Sequence, residues 1–139
     1  MRKIALILVS LILLTVGCDD HKRNEPINPA FIAYISGFTS GIISNQSTIK
    51  ISLAEPSVHA QYDKAIDKDL FDFSPEIEGE AYWLDETTIE FRPEAQLPSN
   101  TYFKAEFYLS EIVEVEKDLE TFDFDFETYK QGINLQFSG

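Results

Sequence analysis

Thr121-Phe122-Asp123-Phe124-Asp125-Phe126-Glu127 is the stretch that decides the fold class of this chain. Phenylalanine recurs at every second position, and an acid follows each ring. Successive side chains of a β-strand point to opposite faces, so three rings share one side and Thr121 joins three carboxylates on the other. A strand of this kind needs an apolar layer over its ring face and water over its acidic face. The same period of two recurs outward from it. Thr48-Ile49-Lys50-Ile51-Ser52-Leu53 alternates polar and apolar, and Phe71-Asp72-Phe73 is a shorter version that ends before Ser74-Pro75. Tyr82-Trp83-Leu84 and Thr88-Ile89-Glu90-Phe91 flank Asp85-Glu86-Thr87, which reads as a hairpin turn. Thr101 to Leu109 reads as a long strand with aromatics on both faces, and Phe31-Ile32-Ala33-Tyr34-Ile35 as the strand that opens the domain. Pro56, Pro75, Pro93 and Pro98 fall at strand ends, where a missing N–H costs least.

Helical periodicity is scarce. Residues 57–70, with Val58, Tyr62, Ala65, Ile66 and Leu70 at helix-like spacing, hold a turn or a short helix on this reading. So do residues 111–120, with Ile112, Val115 and Leu119 on one face. About seven short strands separated by turn residues predict an all-β protein, an antiparallel β-sandwich of Ig-like type. Leu97-Pro98-Ser99-Asn100-Thr101-Tyr102 leads into the long strand. Asn100 suits a left-handed turn position, and Tyr102 stands where an Ig-like tyrosine corner places its ring, the hydroxyl bonding back to upstream backbone. The plainer alternative is that Tyr102 is one more strand aromatic.

The amino terminus carries a different signal. Arg2 and Lys3 precede an apolar run from Ile4 to Val16, closed by Gly17 and Cys18 and followed by Asp19-Asp20. A basic start, a short apolar run and a small residue describe a secretory signal peptide over residues 1–17, too short to span a bilayer. Leu14-Thr15-Val16-Gly17-Cys18 resembles the lipobox of bacterial lipoproteins, with Thr15 where that box usually has Leu. The resemblance implies cleavage before Cys18 and acylation of Cys18, which would tie the chain to a bacterial membrane. Cys18 is the only cysteine, so no disulfide within the chain is possible. Residues 18–29 then read as the lipidated cysteine and a polar tether with Pro26 and Pro29. Asp19-Asp20 sits where lipoprotein sorting signals are read. Inner-membrane retention and surface export both remain open, within an expected localisation in the cell envelope.

Removal of residues 1–17 takes Arg2 and Lys3 with it, leaving 9 basic residues against 24 acidic ones and a formal charge of −15. That excess repels nucleic acid and anionic lipid surfaces, so no nucleic-acid partner is expected. Eleven Phe, 6 Tyr and one Trp supply the core that a disordered acidic chain would lack. Catalysis is not expected. His21 lies in the tether and His59 stands alone, with no phosphate loop and no zinc-ligand spacing. Asp63, Asp67 and Asp69, and separately Asp123 and Asp125, are the only groupings that suggest calcium. Neither has the loop order of a known calcium motif, so no metal and no cofactor are expected. A carbohydrate-binding reading would rest on Tyr82, Trp83, Tyr108 and Tyr129, although rings of this kind more often pair strands or fill cores.

Several of these segments together resemble the bacterial Ig-like module. They are Phe73-Ser74-Pro75-Glu76-Ile77-Glu78-Gly79, Tyr82-Trp83, Thr88-Ile89-Glu90-Phe91-Arg92-Pro93 and Leu97-Pro98-Ser99-Asn100-Thr101-Tyr102, with Asn100 in place of the usual Gly. The resemblance implies structural roles for Trp83, Pro93, Asn100 and Tyr102. The ordered run from Ile35 to Thr128 behind a lipoprotein signal is, more narrowly, similar to the amino-terminal region of bacterial α2-macroglobulin-like proteins of Bacteroidetes type. On that likeness residues 30–128 form a macroglobulin-like β-sandwich, a non-catalytic part of a membrane-anchored endopeptidase trap that meets proteases through the rest of a larger chain. The thioester of that family needs a cysteine this segment lacks, so no residue here takes the bait or thioester role. Residues 129–139, with Ile133, Leu135 and Phe137 alternating, read as the start of a following domain or as an edge strand. The competing reading is a stand-alone Ig-like adhesion or ligand-binding surface lipoprotein.

Overall fold

The computed structural model describes residues 26–130. The expected signal peptide, Cys18 and all but the first two residues of the 129–139 segment lie outside the described residues. Eight strands form the domain: β1 (Ile35–Phe38), β2 (Gly41–Ile43), β3 (Ile49–Leu53), β4 (Phe71–Ser74), β5 (Gly79–Trp83), β6 (Thr88–Pro93), β7 (Tyr102–Tyr108) and β8 (Thr121–Thr128). Only short 3-10 turns accompany them, at Pro29–Ala33, Leu109–Glu111 and Lys117–Leu119.

The strands form two four-stranded sheets, β1-β3-β6-β5 and β2-β8-β7-β4. The β3-β6 and β8-β7-β4 neighbours belong to different sheets although the chain alternates between them, which is the crossed connectivity of an immunoglobulin sandwich. The domain is an Ig-like β-sandwich. Between its layers sit Ile49, Ile51 and Leu53 of β3, Ile89 and Phe91 of β6, Phe103 and Phe107 of β7, and Phe122, Phe124 and Phe126 of β8. The period of two in β8 is realised without a slip, the odd neighbours Asp123 and Glu127 facing water. Edge-on ring contacts lock the packing: Phe122 meets Phe31 at 5.0 Å and Phe38 at 5.1 Å between centroids. Contacts of this geometry each contribute about 0.5–1.5 kcal/mol beyond area burial.

Three details depart from the sequence reading. Residues 29–33 form a 3-10 turn rather than the start of a strand. Pro29 fixes a helical φ, the Asn28 side chain accepts from the Ala30 N–H at 3.0 Å, and the strand begins only at Ile35. The sandwich has eight strands where about seven were expected, the additional one being β2. It is three residues long, has Ile42 exposed, and begins at Gly41, whose φ of 71° turns the chain from one sheet to the other. Its pairing is also parallel, Gly41 beside Phe126 and Ile43 beside Thr128, so the sandwich is antiparallel everywhere except at this edge. The helix-like spacing at 57–70 gives turns and that at 111–120 gives turns and the 3-10 segment Lys117–Leu119, within the turn-or-short-helix expectation. Lone apolar side chains there reach the core at Leu70, Ile112 and Leu119.

Topology divides the loops between two poles. The turn at 29–33 packs on Phe122 at the start of β8, and the loops 54–70, 84–87 and 109–120 lie at that leading pole, beside the ends of β3, β5 and β7. At the opposite, trailing pole β8 ends at Thr128, beside the loops 44–48 and 94–101.

Candidate functional site

The most developed concavity lies at the leading pole. A cleft of about 510 Å³ opens between the 59–68 loop and residues 110–114. Its floor is apolar: Trp83, 6% exposed, with Ile66, Ile112 and Val113. Its rim is polar, with His59, Gln61 and Lys64 on one lip and Ser110, Glu111 and Glu114 on the other. Trp83 comes to the floor because it ends β5 on the inward side of the sheet, paired with Ile89. The 59–68 lip is held in place by the edge of β5. Ala65 bridges Tyr82, and the Ile66 N–H donates to the Ala81 carbonyl at 2.8 Å.

Lys68 joins the two lips. Its ammonium donates to the Glu111 carbonyl at 2.8 Å and pairs with the Glu111 carboxylate at 3.1 Å. Both side chains are half exposed, so the pair positions the lips more than it stabilises the fold. These residues are 43 apart in sequence, and the helix-like spacing within each segment carries no sign of the contact between them. Of the lining residues, Trp83 reads from sequence as a structural aromatic, Ala65, Ile66 and Ile112 as apolar positions at helix-like spacing, His59 as a lone polar group and Asp67 as part of an acidic grouping, with nothing to bring them together.

A second polar cluster covers the outer face of the β1-β3-β6-β5 sheet. Glu90 is only 8% exposed there. It accepts from Thr48 Oγ1 at 2.9 Å and from Arg92 Nε at 2.8 Å, with Lys50 Nζ at 3.5 Å. Burial pushes its carboxyl up, but the Arg92 and Thr48 hydrogen bonds and the charges of Arg92 and Lys50 more than offset that, leaving it below the ordinary glutamate range. The Arg92 guanidinium also lies 4.3 Å from the centre of the Tyr82 ring, and Tyr82 donates to Glu80 at 2.6 Å. Hydrogen bonding to Glu80 raises the Tyr82 hydroxyl. Every acid in this cluster has a protein partner, so its geometry is that of a structural network.

The remaining residues singled out from sequence are placed apart. Asn100 has φ 53°, the left-handed conformation its position required. Pro93 ends β6 opposite Gly79. Tyr102 opens β7, and burial together with the neighbouring Asp125 carboxylate raises its hydroxyl. The corner itself is tied by Thr128, which sequence reading passed over. Its hydroxyl donates to the Pro98 carbonyl at 2.5 Å and accepts from the Thr101 N–H at 3.0 Å. Tyr82, Trp83, Tyr108 and Tyr129 do not share one platform. Trp83 is buried, Tyr82 lies under Arg92, and Tyr129 stands at the trailing pole, away from Tyr108. Among the described residues no three His, Cys, Asp or Glu side chains converge as metal donors, and no helix is long and apolar enough to cross a membrane.

No family model matches the sequence, and no curated protein matches it. Solved structures do. An L,D-transpeptidase 3 from Mycobacterium tuberculosis with a faropenem-derived adduct is similar with a TM-score of 0.49 and 11% identity, over 71% of this chain and 39% of its own. Another L,D-transpeptidase from Mycobacterium tuberculosis gives 0.47 at 12% identity, over 69% and 40%. One from Mycobacterium smegmatis gives 0.42 at 12%, over 76% and 41%. The chain thus spans about two fifths of the length of these transpeptidases. No activity passes to this chain at such identity.

Proposed function

We propose that this chain is the non-catalytic amino-terminal module of a membrane-anchored, α2-macroglobulin-like endopeptidase trap in the bacterial cell envelope, held to the bilayer through lipidated Cys18. The observation that supports this reading is the placement of the first and last described segments of the sandwich. The 29–33 turn sits at the leading pole against Phe122, and β8 delivers the chain at Thr128 to the trailing pole. A module with that path carries a following domain away from whatever precedes it, as a spacer in a string of sandwiches must. Its contribution is architectural: it sets distance and orientation and leaves trapping to the rest of the molecule. The family is suggested by the likeness of the ordered run from Ile35 to Thr128, behind a lipoprotein-type signal, to the amino-terminal region of bacterial α2-macroglobulin-like proteins.

The test uses the whole reading frame that contains this chain. The protein it encodes is mixed with an endopeptidase and assayed with a large protein substrate and a small peptide substrate. The expected result is loss of cleavage of the large substrate with the small one still cleaved. Unchanged cleavage of both would remove the trap reading. A Cys18→Ser variant found in the soluble fraction, with the parent chain in the membrane fraction, supports the anchor separately.

A further inference from the structure

Charge is distributed unevenly between the poles. The loops 54–70, 84–87 and 109–120 at the leading pole hold eleven carboxylates against Lys64, Lys68 and Lys117, a formal −8. The loops 39–48, 75–78 and 94–101 with residues 129–130 hold three carboxylates and one lysine, a formal −2. The apolar-floored cleft is set in the more anionic pole, and the exposed apolar residues Val58, Tyr62 and Leu84 are next in sequence to its lining residues His59, Gln61 and Trp83.

We propose that the cleft bounded by Trp83, Ile66, Ile112 and Val113 is a docking site for a cationic amphipathic polypeptide segment, one apolar anchor flanked by Lys or Arg. The size and the chemistry agree. A space of about 510 Å³ takes one or two large side chains, and well-packed apolar or aromatic anchors carry most of the affinity at such surfaces. Asp67 and Glu114 at the rim accept charged donors from the flanking residues, Glu111 being paired with Lys68 and Lys64 being the remaining cation of the rim. The wider −8 pole draws a cation from about a Debye length away, roughly 10 Å at 0.1 M salt. An acidic segment meets the opposite field, and a polar cationic segment leaves the floor unfilled. This site goes beyond the spacer role and holds whether or not the trap reading does.

Trp83 is the only tryptophan of the chain, so its emission reports on the floor directly. The full-length chain is titrated with three seven-residue peptides: a Leu-Phe-Leu centre flanked by Lys and Arg, the same centre flanked by Glu, and a Gly-Ser-Gly centre flanked by Lys and Arg. The first is expected to change Trp83 emission saturably and to weaken as salt rises. The other two are expected to bind at least about tenfold more weakly. Glu114→Lys, on the rim, is expected to weaken the first peptide several-fold, whereas Glu94→Lys, an equal charge change at the trailing pole, leaves it unchanged. Flat emission with no heat by calorimetry overturns the proposal. Equal binding of the Glu-flanked peptide shows unselective apolar contact, and equal binding of the Gly-Ser-Gly peptide or equal loss in Glu94→Lys shows diffuse charge. Each of those results overturns it too.

Discussion

Thr128 donates its hydroxyl hydrogen to the carbonyl of Pro98, thirty residues earlier, at 2.5 Å, and accepts from the Thr101 N–H at 3.0 Å. The last residue of β8 therefore closes the loop that feeds β7. Thr128 has no exposed surface and both bonds are part-buried, so removing the hydroxyl takes a shielded partner from each backbone group. Thr128→Val keeps the shape and deletes both bonds. It is expected to lower unfolding free energy by about 1–3 kcal/mol, the range for a buried polar group left unpaired. Urea denaturation of the two proteins measures it.

Glu90 makes the fold sensitive to acid. Its folded carboxyl lies below the ordinary range, so as pH falls the unfolded chain takes up a proton before the folded one does. The stabilisation is whole above the unfolded glutamate value and is lost as pH drops through the folded value. Glu90→Gln is expected to be less stable than the parent by about 1 kcal/mol near neutral pH, at the low end because Arg92 and Lys50 are half exposed. The gap should close as the pH is lowered through the carboxylate range. A gap constant with pH would show that the charge of Glu90 contributes nothing.

Gly79 has no room for a side chain. A Cβ there would overlap the Arg92 carbonyl oxygen and come within 2.7 Å of the Phe91 ring. Gly79→Ala must push β5 away from β6 or shift Phe91 out of the core, at a cost of about 1–3 kcal/mol. Thermal unfolding reads the loss, and a Phe91→Leu background should reduce it by removing the ring atoms that clash.

Asn100 tests the turn at the trailing pole. At φ 53°, alanine meets the steric penalty of the left-handed region, about 1 kcal/mol, and glycine does not. Asn100→Ala should therefore be destabilised, and Asn100→Gly should match or exceed the parent. Chemical denaturation of the three proteins separates these outcomes.

The legibility of the fold follows from how each element earns its burial. β8, β3 and β7 announce themselves because each packs one face on a dry core and leaves the other largely wet, which writes alternation into the sequence; β6 alternates too, its outward Glu90 covered by Thr48, Lys50 and Arg92. β2 carries no such mark. It is held by backbone pairing with Phe126, Glu127 and Thr128, and its Ile42 points to water. Phe31-Ile32-Ala33-Tyr34-Ile35 misled in the other direction. Its apolar content is real, but Pro29 and the Asn28 cap give it a helical turn, and Ile32 stays exposed. The cleft was invisible for a third reason. It is made by two loops brought together through Lys68, Glu111 and the β5 edge, and contacts of that range leave no local pattern.

The pole-to-pole path of the chain is the central claim, and a distance measures it directly. Ile32 lies in the 29–33 turn and is 74% exposed; Lys130 follows the end of β8 and is exposed. Spin labels at Ile32→Cys and Lys130→Cys, with Cys18→Ser as background, report their separation. β8 alone runs for eight residues, and at about 3.4 Å per residue the labels should stand roughly 25 Å apart or more. A narrow distribution below about 15 Å would put both positions at one pole of the sandwich and contradict the spacer geometry.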